Sequence, residues 1–219
     1  FPASAADITT EWLNEALAPV MGGGKVLASE ALASATPGQT AEIVEVALQY
    51  DGAGDTPGLP SRLIAKITSA NPQVIELVTQ FDQYRREVAF YNDFPDVGIA
   101  TPRCLLARHE PAGQKMVLLL EHLAPSVSHS WALSPQQVAE AADHLPAFHA
   151  RWWQNEDVRK KDWLVQTTDM DFWTAGAYGA NSAAPVLREH FGTTADTTIE
   201  VMAFFLENIN KVMASIARR

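Results

Sequence analysis

Cysteine, basic runs and long hydrophobic segments are all scarce in this chain of 219 residues. The single cysteine, Cys104, excludes a disulfide within the chain and is typical of a cytoplasmic protein. The longest apolar stretch, residues 116–123, is too short to span a bilayer. Because the net charge is −10 and no basic run is interleaved with aromatics, neither nucleic acid nor an anionic membrane is expected as a partner.

The residues that are abundant indicate a globular α+β protein of one or two domains, with 47% apolar and 19% charged residues. Short segments that alternate in polarity or are continuously apolar, bounded by turn clusters, predict five antiparallel strands. One helix, containing residues 83–94, is predicted between the third and fourth strands. The predicted strands cover residues 26–34, 42–50, 62–68, 103–110 and 115–123.

The chain after residue 124 is predicted to be helical. Ser134 and Gln137 have the spacing of a capping box, which predicts a helix over residues 134–153. Apolar residues at helical spacing predict a second helix over residues 198–219. Both helices carry wide apolar stripes that need a surface to pack against.

Two charged residues fall on apolar faces of these elements. Glu87 shares a helix face with Tyr84 and Tyr91, while Lys66 shares a strand face with Ile64. An unpaired buried carboxylate costs several kcal/mol or takes up a proton. The anion on the helix and the cation on the third strand are therefore predicted to pair.

Four motifs, in order over residues 8–165, resemble those of the protein-kinase-like aminoglycoside phosphotransferase/choline kinase superfamily, and most closely its ecdysteroid kinase-like members. The resemblance implies a small lobe of five antiparallel strands with one inserted helix over residues 1–124. It implies an incomplete helical lobe over residues 125–219. The motifs are RREVAFY (85–91), TPRCLLA (101–107), LLLEHL (118–123) and LPAFHARWW (145–153).

By this resemblance the chain is part of a kinase that transfers phosphate from ATP or GTP, with Mg²⁺, to a hydroxyl of a small molecule. Lys66 would position the phosphates and Glu87 would hold Lys66. A loop after the first strand would cover the nucleotide, and the backbone after the fifth strand would form a hinge that contacts the base. The loop residues are Thr36, Gly38, Gln39 and Thr40, and the hinge residues are Glu121, His122 and Leu123.

The catalytic loop of this superfamily, a His-Gly-Asp followed by an Asn, is not found in the sequence. None of the six histidines has an aspartate two positions later. We expect either the first part of a longer kinase or a pseudokinase-like module that binds without transfer. A third possibility is an unrelated α+β ligand-binding domain with similar spacings.

Other candidate sites in the sequence have a structural explanation. The glycines at 21–25 lack the Ser or Thr of a phosphate loop and are expected to end a helix. Glu140 and His144 have no further metal ligand nearby, so no protein metal site is predicted. His149 is expected to be a core histidine, and Asp169 is expected to cap a helix.

Overall fold

The computed structural model describes residues 1–34, 38–51, 59–123, 134–166 and 168–216. Contacts within the chain define two compact units, Phe1–Lys160 and Lys161–Arg219. The predicted lobe boundary at 124/125 lies within the segment 124–133, which is outside the described residues. The division into two lobes therefore stays a prediction.

The first unit contains a five-stranded antiparallel sheet, which confirms the predicted α+β class and all five strands. The spatial order is β1-β2-β3-β5-β4, so the third strand lies at the centre of the sheet. Each connection joins neighbouring strands except the one after β3, which crosses to β4 at the far edge. The strands are β1 (Val26–Ala33), β2 (Ala41–Tyr50), β3 (Arg62–Thr68), β4 (Cys104–Glu110) and β5 (Lys115–Glu121).

The crossover from β3 to β4 contains two helices rather than the single helix that was predicted. Helix α1 (Thr10–Leu17) precedes the sheet, and α2 (Pro72–Gln80) and α3 (Gln83–Asp93) form the crossover. The prediction of one helix was wrong because it assigned no helix to the residues of α2, which Asp82, with a left-handed φ of 49°, separates from α3. The helix that carries Glu87 is nevertheless the predicted one.

The two faces of the sheet pack against different helices. On one face, alternate residues of β3 (Leu63, Ala65 and Ile67) pack into a core that includes α1. On the other face, α2 and α3 cover β4, β5 and the start of β2, and they bury Val78, Tyr84 and Val88.

The remainder of this second face carries half-buried side chains. We call it the open face and define it as Ile43 and Glu45 of β2 with Ile64 and Lys66 of β3. Strand pairing places Ile43 opposite Lys66 and Glu45 opposite Ile64, so the four side chains form one patch. The patch begins at the edge of α3.

Helix α4 (Pro135–Trp152) and the single turn α5 (Glu156–Arg159) complete the first unit. Ser134 and Gln137 form the predicted capping box at the start of α4. No residue of α4 is buried, and His149 is exposed, so the prediction of a core histidine was wrong. The apolar stripe exists in the sequence, but the described chain does not cover it.

The second unit consists of α6 (Met170–Ser182), α7 (Ala184–Phe191) and α8 (Asp196–Ile216). Asp169 caps α6 as predicted, because its carboxylate accepts the N–H of Phe172 at 3.1 Å. A small core between α6 and α8 buries Ala177, Ile209 and Met213. Among the described helices of both units, none is long and apolar enough to cross a membrane.

Candidate functional site

Lys66 and Glu87 form an ion pair beside the open face, which confirms the predicted pairing. Nζ of Lys66 on β3 donates a hydrogen bond to Oε1 of Glu87 on α3. The two side chains remain 23% and 30% exposed, so the pair is partly removed from water without being fully buried.

The surroundings of Glu87 are apolar and raise the pKa of its neighbours. Burial, followed by the charge of Glu87, raises the pKa of Tyr91 to about 12. Burial is also the main reason that the pKa of Cys104 is raised to about 11, and Glu87 adds to it. Both groups stay neutral at physiological pH, so neither adds a negative charge beside the Lys66–Glu87 pair.

Strand register places Lys66 between the two predicted nucleotide-contacting segments. Ala41, the first residue after the predicted covering loop, lies opposite Thr68, two residues beyond Lys66. Glu121, the first predicted hinge residue, lies opposite Leu63, three residues before Lys66. A ligand lying along the open face would thus have the loop near one end, the hinge near the other, and Lys66 nearer the loop.

The predicted covering loop is attached to the helix that carries Glu87. The hydroxyl of Tyr84, one turn before Glu87, donates to the carbonyl of Thr40 at 2.7 Å and accepts the N–H of Ser69 at 3.0 Å. Gly38 permits the tight path of the loop, because a Cβ there would lie 2.2 Å from the carbonyl oxygen of Ala41. Of the other predicted loop residues, Gln39 is exposed, whereas Thr36 lies outside the described residues.

The first residue of the predicted hinge is hydrogen-bonded within the protein. The N–H of Glu121 donates to the carbonyl of Arg103 at 2.8 Å, and its carboxylate accepts the N–H of Arg103 at 3.3 Å. The amide hydrogen of Glu121 is therefore engaged within the protein. The other two predicted hinge residues, His122 and Leu123, are half-buried.

A polar cluster that the sequence analysis did not identify lies at the outer part of the open face. Glu45 accepts hydrogen bonds from Nη2 of Arg62 at 3.2 Å and from Oγ of Ser34 at 3.3 Å. Nε2 of His122 lies 4.0 Å from the same carboxylate. We call Ser34, Glu45, Arg62 and His122 the Glu45 cluster. The signal that could have revealed it is the phase of Glu45, which alternates in step with Ile43 on the face that also carries Lys66.

Comparison with known proteins identifies no relative of this chain. No family model, no curated protein and no solved structure matches the chain. The function of the site has to follow from its own atoms, and the resemblance to small-molecule kinases stays a prediction.

Helix α4 holds the connection that follows α3. Nε1 of Trp152 donates to the carbonyl of Val97 at 2.8 Å, and the Trp152 ring meets the Phe94 ring edge-on at 4.9 Å. Nη2 of Arg151 donates to the Asp96 carboxylate at 3.1 Å, which with the N–H of Gly98 lowers the pKa of Asp96. These contacts fix the C-terminal end of the helix that carries Glu87.

The described residues do not fit a magnesium ion held by the protein. A site for Mg²⁺ needs several oxygen ligands, usually carboxylates together with phosphates and water. Within the described ranges, no group of three or more His, Cys, Asp or Glu residues is arranged to hold a metal. The Glu87 carboxylate is occupied by Lys66. We therefore derive no step through a metal from these residues.

Proposed function

We propose that the chain is the nucleotide-binding part of a small-molecule kinase, which uses ATP or GTP to phosphorylate a hydroxyl group in the cytoplasm. The observation that supports it best is the Lys66–Glu87 ion pair beside an open sheet face, between the covering loop and the hinge. The proposal includes the kinase-like arrangement of a small lobe over residues 1–124 and the start of a helical lobe over residues 125–219.

The role of Lys66 in this proposal is electrostatic. A nucleoside triphosphate carries several negative charges, and the protein itself has a net charge of −10. Binding therefore needs a local cation, which the Lys66 ammonium supplies as a compact point charge. Glu87 fixes the position of that ammonium group while leaving its other two hydrogens for phosphate oxygens.

The open face also offers an apolar surface for the base. Ile43 and Ile64 are half-buried on the same face as Lys66, and Ile64 is displaced from Lys66 toward the hinge. A purine packed against the hinge side of Ile64 would remove apolar surface from water, worth about 25 cal/mol for each Å² buried. Phosphates at Lys66 and a base near the hinge would then be bound in one orientation.

The test is nucleotide binding by the wild-type chain and two lysine variants, measured by isothermal titration calorimetry and thermal unfolding. The wild type is expected to bind ATP or GTP and to gain about 2.7 kcal/mol of stability at 100 times the dissociation constant. Lys66→Met is expected to weaken binding at least tenfold, about 1.4 kcal/mol, because it removes the charge and keeps the stem.

Lys115→Met is the matched control. Lys115 also forms an ion pair on a strand, with Glu110 at 3.3 Å, but it lies at the start of β5, away from the open face. Its loss should leave nucleotide affinity unchanged. Absence of binding to the wild type, or equal affinity in the wild type and Lys66→Met, would refute the proposal.

A pseudokinase-like module that binds nucleotide without transfer is the second candidate. The sequence observation in its favour is that no histidine is followed two positions later by an aspartate. The two candidates share the binding result above and differ in turnover. In the full-length protein, Lys66→Ala should lower phosphoryl transfer by orders of magnitude if the protein is a kinase, whereas the alternative predicts no transfer even by the wild type.

A further inference from the structure

We propose that Glu45 binds the ribose hydroxyls of the nucleotide and makes the site selective for ribonucleotides over deoxyribonucleotides. This inference rests on the proposed function, because it assumes phosphates at Lys66 and a base near the hinge. It assigns a role to Glu45, which belongs neither to the Lys66–Glu87 pair nor to the predicted loop and hinge, although His122 of the same cluster is a predicted hinge residue.

The position of Glu45 matches the ribose in that orientation. Glu45 lies opposite Ile64, and Lys66 is two residues further along β3 on the same face. Such diagonal neighbours in an antiparallel pair lie about 7–8 Å apart. The hinge begins on the other side of Ile64, opposite Leu63. Glu45 is therefore beside the middle of the ligand, where the ribose joins base and phosphates.

The carboxylate of Glu45 is oriented by neighbours and still has capacity to accept hydrogen bonds. Oε1 accepts from Ser34 and Oε2 from Arg62, so each oxygen has one lone pair left for another donor. The side chain is 40% exposed, which leaves the carboxylate accessible from solvent. Two fixed partners reduce the side-chain entropy that a ligand contact would otherwise cost.

The chemistry of the ribose fits this carboxylate. Its vicinal 2′ and 3′ hydroxyls are two adjacent O–H donors, and an ionised carboxylate is an acceptor with two oxygens. Hydrogen bonds to an ionised acceptor are shorter and stronger than neutral ones. Acidic side chains bind ribose hydroxyls in this way in other nucleotide sites. Arg62 holds the Glu45 carboxylate in place through its hydrogen bond to Oε2.

The experiment compares ATP with 2′-deoxy-ATP and 3′-deoxy-ATP by calorimetry on the wild type, Glu45→Gln and Glu110→Gln. In the wild type, removal of at least one hydroxyl should weaken binding about tenfold, the effect of one charge-assisted hydrogen bond. In Glu45→Gln, the ratio of ATP to deoxy-ATP affinity should fall to within about threefold of unity.

Glu110→Gln is the control. Glu110 forms an ion pair with Lys115, as Glu45 does with Arg62, but Glu110 lies at the opposite end of the sheet from Glu45. It should keep the wild-type ratio. Equal affinity of the wild type for all three nucleotides overturns the ribose assignment while leaving the proposed function intact, and so does a ribose preference that persists in Glu45→Gln. Failure of the wild type to bind ATP or GTP overturns the proposed function itself.

Discussion

Replacing Trp152 with Phe tests whether α4 stabilises the sheet unit through the connection after α3. The substitution keeps an aromatic ring against Phe94 but removes the indole N–H that donates to the Val97 carbonyl at 2.8 Å. Val97 is only 4% exposed, so its carbonyl has little access to water as a replacement. The loss should therefore exceed that of an exposed hydrogen bond.

The expected magnitude follows from these contacts. A lost hydrogen bond that leaves a buried acceptor unpaired costs about 1–3 kcal/mol, and we expect about 1–2 kcal/mol for Trp152→Phe because the indole is only half-buried. For a domain of this size, each kcal/mol lowers the melting temperature by about 2–4 °C. Trp152→Ala also removes the edge-on contact with Phe94, so it should cost a further 0.5–1.5 kcal/mol or more, roughly the value of an aromatic pair.

The assay is urea unfolding followed by far-ultraviolet circular dichroism, together with amide hydrogen exchange across residues 94–98. Trp153→Phe is the control, because Trp153 is the adjacent tryptophan and is 75% exposed. The control should change stability by less than 0.5 kcal/mol, as surface substitutions usually do. Equal unfolding free energies for Trp152→Phe and Trp153→Phe, with unchanged exchange at 94–98, would refute a stabilising role for this anchor.

Two further predictions concern residues near α3. Tyr84→Phe removes the hydroxyl that links the Thr40 carbonyl to the Ser69 N–H, so exchange of the Ser69 amide should accelerate and stability should fall by about 1–3 kcal/mol; unchanged protection of that amide would contradict the link. Burial, assisted by Arg85, lowers the pKa of His109 against the opposing charges of Asp82 and Glu110. The stability contributed by neutral His109 is complete above the pKa of the unfolded state, about 6.5. It is lost as the pH falls through the lower pKa of the folded state. Wild-type stability should therefore fall more steeply than that of His109→Gln below pH 6.5, and parallel pH profiles would contradict this.

The features that could be predicted from the sequence are those encoded by local periodicity. The five strands are short segments bounded by turn clusters, with alternating polarity in β2 and a continuous apolar run in β5, and each lies within about two residues of its predicted bounds. The Lys66–Glu87 pair was predictable for a related reason. Each charge interrupts an apolar face of its own element, and burial makes an isolated charge so costly that opposite charges on neighbouring elements are expected to meet.

The features that could not be predicted depend on three-dimensional neighbours. Helix α2 was not predicted, and the left-handed backbone of Asp82 that separates it from α3 is a feature of the folded chain. The Glu45 cluster brings together side chains from β2, from β3 and from the residues that directly follow β1 and β5, so it requires the strand order 1-2-3-5-4. The contact of Trp152 with Val97 joins residues 55 positions apart. No local pattern carries this information.

The apolar helix stripes show why a hydrophobic face can be predicted while its packing partner cannot. In α8, Ile209 and Met213 lie in the predicted stripe and are buried against α6, whereas Val201 and Phe204 on the same helix are 60% and 61% exposed. In α4, Val138 and Leu145 are 52% and 45% exposed. Hydrophobic side chains gain from burial against almost any apolar surface, so their spacing predicts a face but no specific partner. A buried charge, in contrast, requires a group of opposite sign at hydrogen-bonding distance, which is why the sequence alone could assign Lys66 to Glu87.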